Sequence, residues 1–471
     1  MTLSLAVRNL LRNRRRSLAT LLAMAIGSAA ILLFGGYSSN IKYTMQTAYV
    51  RNGGHLQIQH RDFYLYGSGN PTAYGIADYE KVLAAVLGDE VLRGLVAVAT
   101  PTLQFGGIAG NYAAGVSRTV IGNGLVAPAY SRMQQWNGFD VPMASPPFSL
   151  DGSVPDAVVV GTGVARVLQL CAALNIANCP QREEDRKPEG AALPDDIAQL
   201  SLSESRLAKG SAANQSASAV SSGRRIELLA SNANGTPNVA SLEVIRAETQ
   251  GFKELDEVYV LTHLAQAQRL IYGKSPPRVT SIMLQLHRTD QIPAAQARLA
   301  TLLPTLAVSQ PLSVQDFGTL NPFYTQSIQL FDTIFNFIFV LIGAIVLFNV
   351  SNTMNTAVVE RTVEIGTLRA IGLRRGGIRT LFIIEGFLLG LAGALVGVLC
   401  AVAVAFVVNH AGLTWVPPSV SEAVPLALRV WSEPRMMIGT TLGLIVIATL
   451  SAWWPAHRAA RMNVVDALRH V

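Results

Sequence analysis

Residues Glu360–Gly372 read ERTVEIGTLRAIG, a short charged segment between two long uncharged runs. Ile365, Leu368 and Ile371 recur every three residues, which predicts one apolar helical face ringed by the charges of Arg361, Glu364 and Arg369. Gly372 follows, a residue that ends helices cheaply. A helix of a water-soluble domain would bury such an edge in its own core. Here the chain returns to apolar sequence on both sides, so the chemistry on offer is docking. The expectation is a receiver outside this chain.

Bond-making chemistry is harder to find. A phosphate-binding loop needs G-x-x-x-x-G-K-[ST], whose glycine amides cradle phosphates. The nearest string, Gly273-Lys274-Ser275, has Gln268 where the first glycine belongs, and Pro276 and Pro277 block an immediate helix. It reads as a turn, and Gly161-Thr162-Gly163 is too short a signal for a nucleotide site. The histidines are scattered, and His55 and His60 would lie on opposite faces of one strand. No H-E-x-x-H, C-x-x-C or G-x-S-x-G is present. We expect no catalytic residue, no metal site and no cofactor on this chain.

Single residues add detail. Glu385, one turn into an apolar run, is either an ion or proton site or a structural partner of Arg379 or Arg375; its shallow position favours the pair. Cys400 is a small apolar filler. Seven residues separate Cys171 from Cys179, so a local disulfide is feasible, with two unpaired thiols as the alternative.

The elements that position these residues follow from polarity. Half of the chain is hydrophobic and only 14% is charged, too apolar for an ordinary soluble protein of this length. Leu18–Tyr37, Thr333–Val359, Gly386–Val408 and Met436–Pro455 are uncharged, and each reaches the roughly 20 residues that cross a bilayer. Arginines gather before the first span (Arg8, Arg12, Arg14, Arg15, Arg16), between the second and third (Arg361, Arg369, Arg374, Arg375, Arg379) and after the fourth (Arg458, Arg461, Arg469). Positive charge marks the cytoplasmic side. Both termini and the Glu360 loop are therefore expected inside, and residues between the first two spans outside. The net charge of +7 comes largely from these anchors and gives no reason to expect a nucleic-acid partner. An Arg-rich start before an apolar run also fits a cleaved signal peptide, but the length of the run favours a retained helix. Residues 2–16 form an amphipathic segment suited to a lipid interface.

The insert carries mixed signals. In His55–His60, Leu56 and Ile58 alternate with glutamines as in a half-buried strand. Ala157–Val160 reads as a strand leading into a helix over Gly161–Leu170. Residues 171–224, charge-dense and then Ser/Ala/Gly-rich, read as a mobile loop. Strands near Val258–Leu261 and Val279–His287, a helix over Ile292–Leu303 with Asp290 as N-cap, and a further piece from Val308 suggest a small α/β subdomain near the return to the membrane. In the second span Asn349, Asn352, Thr353, Asn355 and Thr356 must face other helices or water. Gly386, Gly390, Gly393 and Gly397, with Gly439 and Gly443, allow close helix approach within one subunit or between two.

Three strings carry a family resemblance. The Glu360 loop resembles the E-R-x-x-E-I-G-x-x-R-A-x-G cytoplasmic loop of MacB/FtsX-type ABC transporter permeases. Ala6–Ser17 resembles their start, and Pro455–Arg469 their ending, with Val464 where that pattern has proline. Together these cover about a quarter of the chain. The resemblance implies an α+β membrane protein with four transmembrane helices and a large mixed α/β periplasmic domain inserted between helices 1 and 2. The domains would be 1–37, the periplasmic domain 38–325, and an FtsX-like domain 326–471 with spans at 333–359, 380–408 and 436–455. It further implies that Glu360, Arg361, Glu364, Ile365, Gly366, Leu368, Arg369, Ala370, Ile371 and Gly372 dock on a separate cytoplasmic ATPase dimer, which would bind ATP and Mg. A second permease copy or related partner, membrane lipids, and a periplasmic adaptor or lipoprotein carrier complete the expected assembly in a bacterial inner membrane. Gly54–Gln59, GHLQIQ, resembles the start of the external domain of lipoprotein-releasing permeases. The implied function is lipoprotein or lipid release, or efflux; the alternative is an FtsX-like relay controlling a periplasmic enzyme.

Overall fold

The computed structural model describes residues 2–12, 14–67, 69–143, 147–176, 224–250, 253–416 and 423–462. Its principal helices are α1 Thr2–Arg12, α2 Arg14–Gly53, α3 Tyr79–Gly88, α4 Glu90–Leu95, α5 Ala127–Gln134, α6 Leu264–Tyr272, α7 Ile292–Leu302, α8 Pro322–Glu360, α9 Thr362–Ala370, α10 Arg375–His410 and α11 Pro434–Ala460. The chain divides into two units, one of Met1–Met45, Pro322–Trp415 and Val424–Val471, the other of Gln46–Asn321 and Val416–Ala423. The first border thus falls later than residue 38. Residues 38–52 contain neither proline nor glycine, so nothing stops α2 before Gly53 and Gly54, and Gly54 takes φ +76°.

In the first unit, α2, α8, α10 and α11 are long and apolar enough to cross a membrane. Glycines on α10 set their spacing within the chain. A Cβ at Gly386 would lie 2.5 Å from Ala452 Cβ of α11, and one at Gly397 would lie 2.4 Å from Ser28 Cβ of α2. Gly443 meets the Phe339 ring in the same way, whereas Gly439 faces open space and brings no helix close.

The second unit holds strands β1 Leu56–His60, β2 Val96–Asn111, β3 Val116–Leu125, β4 Ala157–Gly161, β5 Arg225–Ser231, β6 Pro237–Glu248, β7 Tyr259–His263, β8 Ser281–Leu286 and β9 Leu312–Asp316. Among the described residues they form one mixed sheet in the order β3-β7-β4-β6-β5-β2-β8-β1-β9. The late strands join the same sheet: β8 pairs with β1 and β2, and β9 pairs with β1. One face carries the larger core, with Leu56, Ile58, Leu103, Phe105, Ile282 and Leu284. The other carries a smaller cluster around Tyr130, Met133, Leu261 and Met283. Covered on both faces, β8 is buried at all six positions rather than at alternate ones. Asp290 is not the N-cap of α7. It lies in a 3-10 turn over Thr289–Gln291, and its carboxylate is held by Arg288.

His55 ties the beginning of this unit to its end. Its N–H donates to Leu284 O at 2.8 Å, and its carbonyl accepts from Phe317 N at 3.0 Å. Nδ1 accepts from Leu286 N at 3.0 Å, which leaves the proton on Nε2, 3.1 Å from Thr289 Oγ1. The ring is fully buried beside Trp136, and burial pushes its pKa down to about 3. The unfolded chain takes that proton near pH 6.5, so the stability at stake is whole above that value and drains away between pH 6.5 and 3. The expected slope reaches about 1.4 kcal/mol per pH unit. Urea unfolding of the full chain in detergent at pH 7.5 and 5.5, followed by hydrogen exchange in β1 and β8, checks it. A His55→Gln chain should show a flatter pH dependence; an equally steep one would count against His55 as the source.

Candidate functional site

α8 stops at Glu360 because Arg361 leaves helical geometry, at φ −103° and ψ +21°. Thr362 Oγ1 donates to Val359 O at 2.7 Å, covering a carbonyl of the broken turn, and α9 begins. At its far end Gly372 takes φ +106°. Leu373 N donates to Leu368 O at 3.0 Å and Gly372 N to Arg369 O at 3.1 Å, the paired bonds of a Schellman stop. The segment is therefore a break, a helix and a stop, rather than one helix from Glu360.

The apolar edge expected on Ile365, Leu368 and Ile371 divides. Ile365 is buried in the unit's own core with Ile378 and Phe382, Leu368 packs partly against it, and Ile371 is 80% exposed. The reason is rotational. Each three-residue step falls about 60° short of a full turn, so Ile371 points about 120° away from Ile365. Gly366 is buried beside Ile365, whereas Ala370 and Gly372 are exposed. The outward stripe is instead Val363, Thr367 and Ile371, four residues apart, and all three are exposed.

The charges are committed within the chain. Arg361 Nη1 donates to Glu385 Oε1 and Oε2 at 2.9 and 3.2 Å, and both side chains are buried. Arg361 Nη2 donates to Asn9 O at 3.1 Å, and Asn9 Nδ2 donates to Glu385 Oε1 at 2.6 Å. Glu385 is thus a structural partner, but not of Arg379 or Arg375. Neither lies three or four residues from it, the spacing at which side chains on one helix meet. Arg12 Nη2 pairs with Glu364 at 2.5 Å, and Arg16 makes two 2.8 Å bonds to Glu360. Arg369 donates to Met462 O. Asn9, Arg12 and Arg16 therefore clasp the Glu360–Glu364 stretch where α9 begins, and between α1 and α9 lies an open groove of about 390 Å3 bordered by Leu5, Asn9, Val363 and Thr367.

Sequence reasoning missed this clasp, although a signal existed. Arg12 and Arg16 stand four apart, as do Glu360 and Glu364, so two stretches running in opposite directions bring each arginine to one acid. On α8, Asn349 is half-buried and Asn352 exposed, and Thr353 meets Thr20 of α2 at 2.8 Å. Cys171 begins a short helix, Cys171–Leu174. Cys179, most of the expected loop 171–224, and the tail beyond Met462 lie outside the described residues.

Four membrane-length apolar helices beside an α/β unit define a membrane protein with an α/β domain. Residues 336–464 match the FtsX-like permease C-terminal family model, and residues 17–174 match that of the MacB-like periplasmic core domain. Over 262 residues the chain is 28% identical to the lipoprotein-releasing system transmembrane protein LolC of Neisseria meningitidis, covering 53% of this chain and 61% of that one. The lipoprotein-releasing system transmembrane protein LolE of Haemophilus influenzae is 27% identical over 52% of this chain and 59% of its own length. The macrolide export ATP-binding/permease protein MacB of Neisseria gonorrhoeae is 28% identical over 48% of this chain and 33% of its own. The chain thus spans about three fifths, or less, of these relatives. In two separate stretches it thus resembles the MacB/FtsX-type permeases.

Proposed function

We propose that this chain is the permease subunit of an ABC transporter, driven by a separate cytoplasmic ATPase dimer that binds ATP and Mg. Both termini and α9 face the cytoplasm of a bacterial cell, and the α/β unit, inserted between the first and second spans of the inner membrane, lies outside. ATPase closure moves α9, and the motion passes to the α/β unit to drive lipoprotein or lipid release, or efflux. A second copy or a related permease completes the dimer, and an adaptor or carrier receives the load outside. One observation carries the reading: α9 is fixed along its back, through Ile365 and the clasp, while Val363, Thr367 and Ile371 stand free for a partner. The names of the LolC and LolE relatives support lipoprotein release, and that of the MacB relative supports efflux.

The test uses the tagged full chain purified from its native membrane. Val363→Asp with Ile371→Asp should cut co-purifying ATPase activity at least about tenfold, roughly 1.4 kcal/mol or more of binding, without lowering Tm. Undiminished association would sink the proposal. Glu364 and Arg369 are poorer probes, because their replacement also releases Arg12 and the Met462 carbonyl.

A further inference from the structure

The sheet face opposite the larger core holds a cleft of about 330 Å3, within the range of ligand pockets. Strand register builds its floor: Gln59 stands opposite Ser281, Ser281 opposite Thr102, and Gln104 opposite Asn123. None of its lining side chains is charged, and seven of them are Asn or Gln. Gln59 is the informative one. Its alternation with Leu56 and Ile58 predicts a solvent-facing side chain, yet it is 2% exposed. Its Nε2 donates to Gln57 Oε1 at 2.9 Å, and Gln57 Nε2 donates to Gly53 O at 3.0 Å. That relay leaves Gln59 Oε1 buried in the cleft with no hydrogen-bond partner, an unfavourable state that an incoming N–H would relieve. The amides of Gln104 and Asn123, side by side across two strands, also make no side-chain hydrogen bond among the described residues.

The lining selects a chemistry. Each primary amide offers N–H donors and a C=O acceptor, the same pair that a peptide unit presents. A charged ligand would lose its hydration and gain no counter-ion. A saccharide would find no carboxylate to accept its hydroxyls in pairs. We propose that this cleft binds a short, uncharged peptide segment in extended form, with Gln59 Oε1 accepting one of its backbone N–H groups. This site does not rest on the coupling reading, and its test contains no ATPase.

The full chain in nanodiscs is titrated with Ac-Ser-Ala-Asn-Ser-NH2, with the charged Ac-Ser-Asp-Lys-Ser-NH2 and with maltotriose, and binding is read by saturation-transfer NMR. The neutral peptide should bind with Kd in the low millimolar range or tighter, the charged one at least about tenfold more weakly, and the sugar not at all. Gln59→Met should leave Tm unchanged or raised, because it removes an unpaired acceptor, yet weaken the peptide at least about tenfold. Gln104→Leu, at the half-exposed rim, should weaken it too and stands in if Q59M does not fold. No binding of the neutral peptide, equal or better binding of the charged peptide or the sugar, or binding unaltered in these variants would each overturn the proposal.

Discussion

Arg361→Met will destabilise the membrane unit by about 3–5 kcal/mol, because it strands Glu385 as a buried, uncompensated acid. The same loss is expected for Glu385→Leu, which strands the guanidinium. The double variant R361M/E385L should recover most of it, since replacing both partners of a buried pair with apolar groups is often neutral. Unfolding of the full chain in mixed micelles by titration with sodium dodecyl sulfate measures all three. A single variant within about 1 kcal/mol of the parent would show that the pair is dispensable. The exposed pairs Arg12–Glu364 and Arg16–Glu360 should behave differently, each contributing about 1 kcal/mol or less and weakening with salt.

Gly397→Leu is expected to cost about 3 kcal/mol or more, near the top of the range for overpacking. A Cβ there meets Ser28 Cβ at 2.4 Å and the backbone oxygen of Ala25 at 2.7 Å, and the latter cannot swing aside as a side-chain tip could. Either α2 and α10 separate or one of them shifts along its axis. Gly439→Leu supplies the control: nothing lies within 4 Å of a Cβ at that position, and leucine is the better helix former. The order parent ≈ G439L, with G397L far below, should appear in Tm measured by fluorescence-detected size exclusion. Equal values for the two variants would mean that α2 and α10 do not pack as described.

Much of this was legible in the sequence because it depends on composition or on local rules. Spans show as uncharged runs, and Gly372 as a helix stop. β1, β4, β7 and β8 show as apolar or alternating runs. What escaped depends on partners far along the chain. The long hairpin of β2 and β3 contains Gly106, Gly107, Gly110, Gly122 and Gly124, which blur any strand pattern, and its register is fixed by neighbours. Glu385 could be read as paired, but its partner could not, because Arg361 reaches it through a helix break that no propensity marks. Gln59 looked like a surface residue because alternation reports one covered face, and this sheet has two.

The clasp also has a consequence in time. Arg16 and Glu360 are 344 residues apart, so at synthesis rates of about 5–20 residues per second the acid follows the base by roughly 17–70 s. Through that interval Arg12 and Arg16 lack the acids they hold in the folded unit. Once Glu360 and Glu364 emerge, those pairs can close. The clasp is therefore a late contact, closed only after residues 46–321 have been made.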